Sequence, residues 1–66
     1  MDLAELNSAI KKSGIKKSHI ANTLHITQQS LSLKLSGKVA FKLYEVKPIA
    51  ELLNLDDEST VNIFLS

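Results

Sequence analysis

Gln28, Gln29 and Ser32 place two amides and a hydroxyl close together, and Leu33 adds an apolar group beside them. An amide carries a donor and an acceptor side by side, so glutamine pairs bidentately with adenine N6 and N7. Serine donates or accepts, and leucine can touch a thymine methyl. Lysines surround this stretch. Between Lys11 and Tyr44 lie Lys11, Lys12, Lys16, Lys17, Lys34, Lys38 and Lys42, with no Asp or Glu among them. Acids sit near both ends, so the net charge of +1 hides a basic middle. Such segregation points to a surface that faces a polyanion.

Other chemistry is faint. His19 and His25 lack a nearby cysteine or an arranged carboxylate, so no metal site is expected. No Ser-His-acid arrangement sits in a recognisable loop, and 66 residues leave little room for a catalytic pocket. Neither an enzyme nor a cofactor is expected. Asp56-Asp57-Glu58 lacks the spacing of a calcium loop and suits a helix start.

These groups must be held by one small domain, residues 1–66, of modest stability. The absence of cysteine suits an intracellular, cytoplasmic protein. The start MDLAELNSAI is acidic and amphipathic, unlike a signal peptide, and no apolar run approaches a membrane span. No repeat, low-complexity tract or linker is apparent in the sequence. Residues 3–13 read as a helix, with Leu3, Leu6 and Ile10 on one face, an Asp2/Glu5 capping pair and Gly14 as its stop. Residues 17–24 read as a second helix. Its start is poorly signalled, because Lys16 and Lys17 oppose the helix dipole; Ser18 would cap a slightly later start. His25 suits a left-handed turn at its end.

The stretch SLSLKLS, residues 30–36, alternates like a strand. It lacks β-branched and aromatic residues, and no other segment offers it a partner strand. Thr27 is an acceptable N-cap and Gly37 an apt stop. Residues 28–36 therefore read as a helix. Wound at ~100° per residue, Leu31 and Leu35 fall on one side. Gln29, Ser32, Leu33 and Ser36 fall on the other, with Lys34 at the border. Residues 43–54 give a fourth apolar pattern, broken by Pro48. Proline clashes with the carbonyl four residues back, so a late start near Val46–Lys47 or an irregular first turn is expected. A last helix opens at Asp56 or Asp57, with Val61, Phe64 and Leu65 as its packing face.

Two short helices joined by a tight turn, 17–36, form a helix-turn-helix. The stretches GIKKSHIANTLHITQQSLSLKLSG and LYEVKPIAELLNL resemble the lambda-repressor-like family of Cro/CI and XRE-type phage or prophage regulators. Ile20-Ala21, Leu24, Ile26, the run from Thr27 to Ser32, and Leu35-Ser36-Gly37 fall at the family's positions. So does Ile49-Ala50-Glu51-Leu52-Leu53. Four departures stand out. His25 replaces a glycine, Lys16 and Lys17 replace the cap and its following Gln, Pro48 is unusual, and Lys34 replaces an apolar residue. Lys34 weakens the helix's seat unless its stem lies flat on the core.

The resemblance implies an all-α, compact bundle of about five short helices and a sequence-specific, double-stranded-DNA-binding regulator. Helix 28–36 would enter the major groove N-terminus first. Gln28, Gln29, Ser32 and Leu33 are the expected base contacts. Lys17, Lys34, Ser36, Lys38 and Lys42 are the expected phosphate contacts. Lys11, Lys12 and Lys16 lie further off and fit a solvated face equally well. All eight basic residues are lysines, so the Arg–guanine contact is missing and an A/T-leaning half-site is expected. A weak homodimer would read a near-palindromic operator, with Val61, Ile63 and Phe64 in residues 55–66 as its interface. The alternative is a protein-interaction module that binds another regulator.

Overall fold

The Asp2 carboxylate accepts a hydrogen bond from the Glu5 backbone N–H at 3.0 Å and caps the first helix, α1 (Leu3–Ser13). Gly14 ends it in the left-handed conformation at φ 73°. The structure is a computed structural model describing residues 1–65. Four more helices follow: α2 (Lys17–Thr23), α3 (Gln28–Leu35), α4 (Leu43–Leu52) and α5 (Asp57–Phe64). Among the described residues there is no strand, and no helix is long and apolar enough to cross a membrane. The chain is an all-α bundle, and SLSLKLS lies mostly within α3.

Each helix contributes an apolar stripe to one core. Leu6 and Ile10 come from α1, Ile20 and Ala21 from α2, Leu31 and Leu35 from α3, Ile49 from α4, and Ile63 and Phe64 from α5. Helix α3 packs on α1 and α2, while α5 packs on α1 and α4 supports α2. The two ends of the chain meet where the Asp2 N–H donates to the Ile63 carbonyl at 2.6 Å.

One helix start differs from expectation, and another keeps its expected place but lacks the alternative cap. Helix α2 begins at Lys17 with Lys16 as an N-cap that makes no side-chain bond, so Ser18 does not cap it. Helix α4 starts early, at Leu43, and carries Pro48 in its interior. The carbonyl that Pro48 deprives of a partner belongs to Tyr44, in an exposed first turn that water reaches. The apolar pattern did begin at Leu43, although that residue is 85% exposed; the clash expected from Pro48 is what moved the expected start to Val46–Lys47. What begins α4 is Glu45. Its Oε1 accepts the Lys42 backbone N–H at 2.7 Å, the reach-back half of a capping box.

One turn geometry occurs twice in the chain: the segments that join α2 to α3 and α4 to α5 match at an offset of 29 residues. Helices α2 and α4 end at Thr23 and Leu52, and α3 and α5 run over 28–35 and 57–64. Leu24 and Leu53 cap α2 and α4. His25 and Asn54 then adopt positive φ, 58° and 54°. The next N–H groups, of Ile26 and Leu55, bond back to Ala21 and Ala50 at 3.0 and 2.9 Å. Thr27 and Asp56 cap the second helices by accepting from Ser30 and Ser59. The two left-handed residues are types that tolerate that region, and both turns close the same way.

Candidate nucleic-acid interface

Leu31 and Leu35 seat α3 in the core and turn its other side to solvent. Gln28, Gln29 and Ser32 are exposed on that side, and Leu33 is 37% exposed. Thr27 fixes the start of α3 by accepting the Ser30 N–H at 3.0 Å. Beyond its end, the carbonyl of Leu33 gathers the Lys38 N–H at 3.0 Å, the Val39 N–H at 3.3 Å and the Ser36 hydroxyl at 2.9 Å. Gly37, at φ 86°, makes this turn, and a Cβ there would lie 3.1 Å from a Leu3 methyl. Lys38 is thereby held against the C-terminal end of α3. Lys17, Ser36 and Lys42 are also exposed, and Lys42 Nζ lies 5.8 Å from the Tyr44 ring centroid.

One expected phosphate contact is wrong. Lys34 is only 6% exposed, and its ammonium donates to both Glu45 oxygens at 2.6 and 2.7 Å. The whole side chain is thus buried, on the same side of α3 as Leu31 and Leu35. The Phe41 ring lies 5.8 Å from the ammonium. Burial by itself would raise the Glu45 pKa. The bonds from Lys34 and the Lys42 N–H, with the charges of both lysines, outweigh it and hold the carboxyl below its ordinary value.

A shallow cleft of about 710 Å³ between α2 and the start of α3 brings Gln28 beside Lys16, Ser18, His19 and Asn22. Sequence reasoning gave Ser18, His19 and Asn22 no part in the site. The available signal was Ser18 and Asn22, polar residues one turn apart on the side of α2 away from Ile20. No protein-family model, curated protein or solved structure matches this chain. Among the described residues, no group of three His, Asp or Glu side chains could hold a metal ion.

The expected dimer face needs revision as well. Ile63 is 2% exposed and Phe64 is buried, both in the core. Phe64 meets the Phe41 ring edge-on at 6.4 Å. Of the three residues, only Val61 is exposed. The adjacent positions 63 and 64 both turn inward because α1 and the 36–42 loop close over α5. Exposed apolar surface lies elsewhere. Leu43 flanks a cleft of about 450 Å³ lined also by Val46, Ala50 and Leu55, while Tyr44 and Leu65 stand out from α4 and from the end of α5. Ser66, the last residue of the 55–66 segment, lies outside the described residues.

Proposed function

We propose that this chain is a sequence-specific, double-stranded-DNA-binding transcription regulator of the lambda-repressor-like helix-turn-helix kind, acting in a bacterial or phage cytoplasm without catalysis or cofactor. The observation that carries this reading is the outward face of α3. Two glutamines, a serine and a half-exposed leucine stand there, with exposed Lys17 before them, exposed Lys38 and Lys42 after them, and no acid between. Helix α3 lies in the major groove with Gln28 and Gln29 foremost, and the three lysines and Ser36 hold the phosphates. Two chains read a near-palindrome, paired through the exposed apolar surface of α4 and α5.

A salt titration tests it. Three lysines per chain give six phosphate contacts in a dimer, so the slope of log affinity against log salt is expected near about −5. The duplex should first be selected from a random pool. The absence of arginine leads us to expect an A/T-leaning half-site. Failure to bind any duplex at low salt removes the reading. In that event the exposed Leu43, Tyr44, Val61 and Leu65 favour the second reading, a module that docks on another regulator.

Leu33 gives a smaller test. Its side chain is 37% exposed and lies outside the core cluster, so Leu33→Ala should cost no more than about 1–2 kcal/mol and leave the domain folded. Loss of a thymine-methyl contact should weaken the selected site about threefold to tenfold, or about 1 kcal/mol. Unfolding of the variant would show that this face of α3 is not the outer one.

A further inference from the structure

Lys34 and Glu45 join α3 to α4 through a buried, directional network. Both Glu45 oxygens take the Lys34 ammonium, and one also takes the Lys42 backbone N–H. Core packing does not require a charge at this place. At the same place along α5 stands Ile63, buried without any charge. A helix of this bundle can thus be seated by an apolar residue there, whereas Lys34 brings a charge with a fixed partner.

We propose that Lys34 and Glu45 are positioning residues that set the rotation of α3 about its own axis and tie the 36–42 loop to it, so that the glutamines and the loop lysines meet one DNA surface in register. This rests on the DNA-binding reading above. Apolar contact is non-directional, and Leu31 and Leu35 alone offer α3 a narrow seat on which it can turn. Side-chain tips lie about 5–6 Å from a helix axis. A turn of about 20° therefore moves Gln29 by about 2 Å, well beyond the roughly 0.5 Å spread of good hydrogen bonds. The buried ammonium–carboxylate bonds favour the azimuth at which both Glu45 oxygens are met, because turning α3 away would leave the two charges buried and apart. The Asn7 amide, which donates to the Leu35 carbonyl at 3.2 Å, holds the C-terminal end against sliding. Through the Lys42 N–H the same carboxylate fixes the end of the lysine-bearing loop, and Phe41 packs between the ammonium and Phe64.

The test replaces both charges together, so that neither is left buried alone. Lys34→Met/Glu45→Met and a second pair, Lys34→Ile/Glu45→Leu, are compared with the wild-type chain. The measurements are the melting temperature and the affinity for two duplexes at one salt concentration: the site selected by the wild type, and a scrambled duplex of equal length. The expected double variant, which also loses the acceptor of the Lys42 N–H, melts within a few degrees of the wild-type temperature and binds scrambled DNA within about twofold of wild type. Its preference for the selected site falls at least tenfold. A folded double variant that keeps its preference overturns the inference and leaves the DNA reading standing. Failure of both double variants to fold also overturns it, because the pair would then be a stability element. A wild type without site preference removes the DNA reading, and this inference with it.

Discussion

Glu45→Ala is expected to remove a large share of the protein's stability. The substitution leaves the Lys34 ammonium buried without a counter-charge and takes the acceptor from the Lys42 N–H at the start of α4. Breaking one side of a buried pair costs about 3–5 kcal/mol. A chain of this length holds only about 3–10 kcal/mol in total. Thermal and urea melts followed by circular dichroism should show a broad loss of helix, and a melting temperature within a few degrees of wild type would refute the argument. The pair also sets an acid limb. The Glu45 pKa is lowered on folding, so its contribution is full above the unfolded value near 4.5 and is lost as pH falls through the lower folded value. Glu45→Gln should therefore start less stable at neutral pH and flatten the decline below about pH 4.5. Asp56 adds to the same limb. The Ser59 backbone N–H, helped by its hydroxyl, lowers the Asp56 pKa at the start of α5.

The contrast between Glu45→Ala and the paired replacements explains what the sequence shows and what it hides. Local signals were legible. Asp2, Gly14, Thr27, Gly37 and Asp56 each act on residues within one turn, so their roles in α1, α3 and α5 follow from the chain alone. His25 was legible for the same reason, as a residue tolerant of positive φ after the last turn of α2. The outward face of α3 followed from helical winding once the strand was set aside. Lys34 was not legible, because lysine in isolation reads as exposed and its partner stands eleven residues away, across a loop. The lysine count was inflated accordingly: with Lys34 neutralised by Glu45, the basic surface of the middle segment rests on the other six. Ile63 and Phe64 were misread for a related reason. A short terminal helix looks too small to hide three apolar residues, until α1 and the 36–42 loop are seen to cover two of them. The 29-residue recurrence of one turn geometry escaped notice because equivalent positions share geometry more than identity. Ile63 answers Lys34, and Asp57 and Glu58 answer Gln28 and Gln29.

Acids thus stand in the first turn of α5 where α3 carries two amides, and those amides frame the second large effect. Gln28→Ala/Gln29→Ala should abolish most site preference while leaving the fold and the salt-dependent background binding intact. Both side chains are exposed in the first turn of α3, where a groove-entering helix meets base edges. Alanine is the best helix former, and the Thr27 cap bonds Ser30, so the helix should persist. Each bidentate glutamine–adenine pair discriminates by about 1–3 kcal/mol, or about 5- to 150-fold. Lys38→Ala gives the opposite pattern, because a phosphate contact weakens every duplex alike and makes the salt slope shallower by about 1 per lysine lost. Measuring both variants on selected and scrambled duplexes thus sorts the two kinds of contact. Equal losses on the two duplexes for the glutamine variant would place Gln28 and Gln29 on the phosphates or outside the interface. A selective loss would mean that the two amides read the bases.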